Sequence, residues 1–105
     1  MFLSRYDFTG DPTALHAALT RMAEKLPPDA IVLNVAVSTE TGLSLYDTCP
    51  DLATFVEFST SEQFTTMLSE VGLPTPTITP LGEVLGTIIN VSSVPALPGR
   101  DGLPA

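Results

Sequence analysis

An α+β domain built on one four-stranded antiparallel sheet is the fold this sequence predicts. Three observations lead there. Segments with a strand pattern alternate with segments of helical periodicity. Proline or glycine closes most of them. Two strand segments follow each other across a short turn, which makes that pair antiparallel. The chain has 105 residues, 44% of them hydrophobic. That suits one domain with a real core and argues against disorder.

The first strand is "FLSRYDF", residues 2 to 8. Phe2, Ser4, Tyr6 and Phe8 share one parity, and Leu3, Arg5 and Asp7 take the other face. "TGDP" breaks it. Asp11 is a good N-cap, and Pro12 suits a first helical turn. The helix is expected from Pro12 to Leu26, because Leu15, Ala18, Leu19, Met22 and Leu26 recur at three and four. Pro27 and Pro28 stop it.

"AIVLNVAV", residues 30 to 37, is rich in β-branched residues and predicts a strand buried on both sides. "STETG" predicts a hairpin turn, with Gly42 free to take positive φ. "LSLYDT" is the returning strand. A turn at Glu40 to Gly42 pairs Thr39 with Leu43, Val37 with Leu45, Val35 with Asp47 and Leu33 with Cys49. Ala36 with Tyr46 and Asn34 with Thr48 then share the opposite face.

"CPD" opens a second helical region, and a short helix is expected from Pro50 or Asp51 to about Phe58, with the Asp51 charge suiting the helix start. Ser59 and Glu62 have capping-box spacing, so a second helix restarts there and ends near Val71, before Gly72 and Pro74. "TPTITPLGEVLGTIIN" is the last strand, broken near Gly82. Pro76 and Pro80 cannot donate to a ladder and place it at a sheet edge.

The order β-α-β-β-α-β is the ferredoxin-like pattern, with the first and third strands central and the fourth at an edge. Helices cover one face through Leu15, Leu19, Met22, Phe55, Phe58, Phe64 and Met67. The other face exposes Val32, Ala36 and Tyr46, a patch that predicts a twofold homodimer packed sheet against sheet. The domain is expected to span residues 1–90. Residues 91–105, rich in proline and glycine, form a C-terminal tail.

The net charge is −8, with only Arg5, Arg21, Lys25 and Arg100 positive. Nucleic acid needs clustered cations, so it is excluded as a partner. An anionic membrane surface is disfavoured for the same reason. One cysteine forms no internal disulfide. The first residues do not follow a signal-peptide pattern, and a cytoplasmic protein is expected. One histidine and one cysteine, without ligand spacing, predict no metal site. No phosphate-binding glycine pattern is present.

Four side chains carry candidate chemistry. Cys49 precedes a helix N-terminus, which favours a thiolate, but a lone cysteine is more often a small buried hydrophobe. Asp47 reads in two ways. It is a desolvated acid or base with a raised pKa, or a strand-end aspartate that accepts backbone N–H bonds or meets solvent. Tyr6 could orient a ligand oxygen or stabilise an enolate, or be a core tyrosine with its hydroxyl at the rim. His16 lies one position past the apolar stripe. It is an exposed helical histidine or, with a small rotation of the helix, a proton shuttle.

The stretch from "GLSLYDTCPDLATFVEF" through "MLSEVGLPTPTITPLGEVL", about half the chain, resembles the dimeric α+β barrel superfamily. This group includes the antibiotic-biosynthesis monooxygenase-like domains, and the likeness is to its small actinobacterial members. The shared features are a strand ending in an acidic turn, a helix with an aromatic pair, here Phe55 and Phe58, and a closing edge strand. The resemblance implies a homodimer and a hydrophobic pocket between sheet and helices, with Phe55, Phe58 and Met22 touching a small apolar ligand. It further implies a cofactor-independent oxygenase or cyclase acting on an apolar or aromatic, polyketide-like compound. Asp47, Tyr6 and His16 are then the catalytic candidates. The chain departs from many relatives in having no tryptophan and in reading "PLGEVL" at the edge strand. Haem degradation, with its axial histidine, does not match His16 early in the first helix. The competing expectation is a non-catalytic dimerisation or interaction module with a filled core.

Overall fold

The computed structural model describes residues 1–27 and 32–88. The expected start of the second strand and the tail at 91–105 lie outside the described residues. The order is β1 (Phe2–Thr9), α1 (Pro12–Ala23), β2 (Asn34–Ser38), β3 (Gly42–Cys49), α2 (Leu52–Ser59), α3 (Glu62–Val71) and β4 (Thr77–Glu83). The four strands form one antiparallel sheet in the order β2-β3-β1-β4. This is the ferredoxin-like arrangement, with the second helical region split in two. Among the described residues no helix is long and apolar enough to cross a membrane.

The alternation of β1 positions the core. Phe2, Ser4, Tyr6 and Phe8 are buried under the helices, while Leu3, Arg5 and Asp7 are only partly covered on the open face. Leu15, Ala18, Leu19 and Met22 of α1, Phe55 of α2 and Phe64, Met67, Leu68 and Val71 of α3 complete the buried cluster with Leu43, Leu45 and Leu73. Arg21 Nη2 donates to the Val71 carbonyl at 3.0 Å and ties α1 to the end of α3.

Each helix starts on a side-chain cap. Asp11 accepts from Ala14 N at 2.9 Å, and Asp51 from Thr54 N at 2.7 Å. The cap of α3 is Ser61, which accepts from Phe64 N at 3.1 Å. It is not Ser59, as the capping-box spacing suggested. Ser59 is still helical as the last residue of α2. Gly72 ends α3 in the left-handed region at φ 82°, where a Cβ is disfavoured. Helix α1 stops at Ala23, three residues before the expected Leu26. Lys25 N and Leu26 N donate to Met22 O and Ala23 O, so the chain tightens into a 3₁₀-like turn.

The hairpin between β2 and β3 differs from expectation by one register step. Asn34 pairs with Asp47, Ala36 with Leu45 and Ser38 with Leu43. The turn therefore holds four residues, Thr39 to Gly42. Thr39 N donates to Gly42 O at 2.9 Å, and Gly42 N to Thr39 Oγ1 at 3.0 Å. Gly42 has no positive φ. It is glycine because a Cβ there would run into the Phe8 carbonyl oxygen of the neighbouring strand. A one-step slip inverts every side chain of a strand. Asn34 and Ala36 thus lie on the helix side, and Val35 and Val37 take the open face beside Tyr46. Strand β2 is also exposed along its length rather than buried on both sides. It is an edge strand, and α1 leaves a gap above it.

Strand β4 runs only from Thr77 to Glu83 and shifts register against β1 between Leu3 and Ser4, where Leu81 is left without a partner between Pro80 and Gly82. Val84 N still donates to the Met1 carbonyl at 2.8 Å. The open face carries Val35 at 46%, Val37 at 43% and Leu81 at 46% exposure. Its middle is polar: Arg5 Nε meets Asp7 Oδ2 at 3.0 Å, and the Ser44 hydroxyl donates to Asp7.

Candidate functional site

A cavity of about 330 Å³ lies between the sheet and the helices. That is within the range of small-molecule sites, about 300–1,000 Å³. Tyr6 and Asp47 reach it from the central strands, β1 and β3. Leu19 and Met22 of α1 form its opposite wall, and Phe58 and Phe64 close the inner end. Its opening lies between α1 and β2, where His16, Asn34 and Ala36 are exposed.

Strand alternation explains the placement of both polar groups. Tyr6 pairs with Leu45, and Ser4 pairs with Asp47, so all four side chains point to the helix side. The Tyr6 ring stands among aromatics, 5.9 Å from Phe64 and 6.4 Å from Phe55 between centroids. Its residue is 3% exposed, yet its hydroxyl has no hydrogen-bond partner among the described residues. A buried hydroxyl left this way is costly unless something bonds to it. Burial pushes the phenol up to about 12. The nearby Ser4 hydroxyl opposes that shift, although it is not oriented as a partner for Tyr6; it donates to the Asp47 carbonyl at 3.5 Å. The Asp47 charge raises the phenol further. Tyr6 is therefore protonated at neutral pH and acts as a donor.

Asp47 is half-buried. Desolvation pushes its carboxyl up to about 6, against the lowering effects of Asn34 and of the Thr48 backbone. Asn34 Nδ2 donates to it at 3.5 Å across the β2–β3 ladder. A carboxyl in that range exchanges protons readily near neutral pH.

The remaining candidates separate cleanly. Met22 and Phe58 line the cavity. His16 stands at the mouth and makes no side-chain hydrogen bond to Tyr6 or Asp47 among the described residues. Phe55 lies behind the cavity wall, 4% exposed, with its ring 5.4 Å from that of Phe2. Cys49 is half-buried against the core, and burial pushes its thiol up, with Asp47 and Asp51 adding to the effect. The helix N-terminus does not activate it. Asp51 serves instead as the cap, its carboxyl held low by the Thr54 backbone N–H. No three His, Cys, Asp or Glu side chains come together as a metal site among the described residues.

Sequence reasoning missed Asn34 and Ala36 as wall residues, because the hairpin register was one step out. A signal was present. Asn34 is the one polar residue within "AIVLNVAV", and it stands opposite the one carboxylate of the returning strand's inner face.

Sheet order, helices on a single face and a mainly apolar, open-mouthed space between them define a ferredoxin-like α+β fold with a small-molecule-sized cavity. The same fold occurs in a solved structure from Deinococcus radiodurans, described as a putative antibiotic biosynthesis monooxygenase. The two share 17% sequence identity at a TM-score of 0.56, over 86% of this chain and 97% of the other. The likeness shows the fold, the one implied by the resemblance over "GLSLYDTCPDLATFVEF" through "MLSEVGLPTPTITPLGEVL". No family model and no curated protein matches the chain.

Proposed function

We propose that the cavity binds a small apolar or aromatic ketone-like molecule and moves a proton on it. The observation that carries this reading is the buried Tyr6 hydroxyl, which has no partner among the described residues, facing the same cavity as Asp47. A ligand carbonyl oxygen accepts from Tyr6. The Asp47 carboxylate takes a proton from the adjacent carbon, and the freed electron pair moves onto that oxygen. Tyr6 then holds the enolate oxygen, the charge it is placed to stabilise. Attack of the enolate carbon on dioxygen gives a hydroperoxide that loses water to leave a new carbonyl, which corresponds to an oxygenase. Attack of the same carbon on an internal carbonyl carbon closes a ring, which corresponds to a cyclase. The solved monooxygenase-like structure supports the first of these by fold alone. His16 makes no contact that gives it the proton step, so this reading places it at the mouth.

β-Tetralone and tetralin test the proposal, because they share a shape and differ in the carbonyl. The ketone should bind about tenfold more tightly than the hydrocarbon, the worth of about one hydrogen bond to a buried donor. Tyr6→Phe should erase the difference. In D₂O the protein should speed deuterium exchange at the benzylic carbon beside the carbonyl, with the rate rising through about pH 6, where Asp47 ionises. Equal binding of the two probes by the unaltered protein would sink the proposal.

We propose further that the chain forms a homodimer through the open sheet face. Leu3, Val35, Val37 and Leu81 supply apolar area there, and the Arg5–Asp7 pair neutralises itself. Light scattering at micromolar concentration should give the mass of two chains, and Val37→Lys should give one. A monomeric unaltered protein would rule the dimer out.

A further inference from the structure

A second, shallower and more open pocket of about 290 Å³ adjoins the first on its outer side. His16 and Ala36 belong to the walls of both. The outer pocket continues along the same groove between α1 and β2, toward Pro12, Thr13 and Ser38. Local geometry sets this continuity. Asn34, Ala36 and Ser38 alternate onto one face of β2, so they line up along the groove, spanning about 13 Å at strand spacing. Thr13 and His16 are three apart on α1 and share its flank.

The chemistry of the lining changes along this path. The inner cavity is apolar apart from Tyr6, Asp47 and groups at its mouth. The outer pocket carries the hydroxyls of Thr13 and Ser38 and the His16 imidazole. None of these side chains donates or accepts a hydrogen bond within the described residues; the nearest such bond, from Thr20, goes to the His16 backbone carbonyl. Neither pocket is lined by a described lysine or arginine, and Asp47 contributes a carboxylate. An anionic ligand would meet that charge uncompensated in a chain of net charge −8.

We infer that the ligand is elongated and uncharged, with a carbonyl-bearing apolar body in the inner cavity and a hydroxyl-bearing far end in the outer pocket beside Thr13 and Ser38. This rests on the reading of the inner cavity as a ketone site. It adds the length, the neutrality and the polar far end of the substrate. Tyr6 and Asp47 act on one end, and Thr13, His16 and Ser38 line the space for the other.

The test compares three probes by calorimetry. They are β-tetralone, a β-tetralone bearing a para-hydroxyphenyl group at the ring end away from the carbonyl, and the matching para-carboxyphenyl compound. The hydroxyphenyl probe should bind about tenfold more tightly than β-tetralone, and the carboxylate about tenfold more weakly than the hydroxyphenyl probe. Ser38→Phe fills the outer pocket without touching the inner one. It should remove the long probe's advantage while β-tetralone affinity changes by less than about twofold. If that variant fails to fold by circular dichroism, Thr13→Val carries the same comparison and should lower the advantage about threefold. Equal binding of the long and short probes by the unaltered protein overturns the inference alone. So does equal loss of both in a folded Ser38→Phe protein. Carboxylate binding as tight as that of the hydroxyl overturns the neutrality. If β-tetralone and the long probe both fail to bind, the ketone site falls, and this inference with it.

Discussion

Asp47→Asn should stabilise the protein at pH 8 by about 2 kcal/mol while abolishing the deuterium exchange of β-tetralone. The carboxyl is raised from 3.8 to about 6 by burial. A shift of that size corresponds to about 3 kcal/mol, and partial solvent access lowers the expected gain to about 2. The sign follows from proton counts. Above pH 6 both the folded and the unfolded states hold Asp47 ionised, and the folded state bears the cost of a poorly solvated charge. Between 6 and 3.8 the folded state binds the proton first, so this contribution stabilises the fold as pH falls. Below 3.8 both states are protonated and the contribution is complete. Asparagine has no charge to desolvate and can still accept from Asn34. Urea unfolding of both proteins from pH 4 to pH 8 isolates the effect. Asp7 and Asp51, whose carboxyls are held low, contribute equally to each protein and with opposite sign. The variant's advantage should shrink toward acid pH. A variant less stable than the parent at pH 8 would contradict the burial of this carboxylate. Gain of stability with loss of activity is the pattern expected of a group held for its chemistry.

Phe55→Ala should cost about 4 kcal/mol, the usual loss for a buried phenylalanine. Phe55 packs between Phe2 and Tyr6 at the centre of the core. A domain of this size has only about 5–10 kcal/mol of total stability, so the variant should be close to unfolded at body temperature. Phe58→Ala should cost about 2 kcal/mol, because that ring is half-buried and borders the cavity. Its larger effect should fall on β-tetralone affinity. The two aromatics look alike in "LATFVEF", but one supports the fold and the other faces the ligand space. Chemical denaturation and probe binding on each variant separate these roles. Equal stability losses would contradict the division.

Much of the architecture was readable before the structure, for physical reasons specific to each segment. "FLSRYDF" puts its three aromatics on one parity, so its inward face had one assignment despite Ser4 and Leu3. The prolines of the last strand could sit only at an edge. Asp11 and Gly72 are residues whose capping chemistry leaves little choice. "AIVLNVAV" offered no such constraint. With apolar residues at both parities, either register buries something, and the pattern cannot choose. The choice is made elsewhere, by the Thr39–Gly42 turn and by the close approach of Gly42 to the Phe8 backbone. That contact is between strands distant in sequence and leaves no local trace. The same one-step difference explains the site. Alternation alone assigns Tyr6 and Asp47 each a face of its own strand. That the two share one face is set by the β1–β3 pairing, and Asn34 and Ala36 join them through the register of β2. The outer pocket depended on it too.

Asp47 and Tyr6 face one space, of a size to bind a ligand. The most direct measurement is the titration of the Asp47 side-chain carboxyl by carbon-13 NMR, with Asp47→Asn to assign the signal, in the free protein and with β-tetralone bound. The burial of Asp47 predicts a midpoint of about 6. It also predicts an upward shift when the ketone, which has no hydrogen-bond donor, displaces water from around the carboxyl. A midpoint close to the ordinary 3.8, unmoved by saturating ketone, would contradict it.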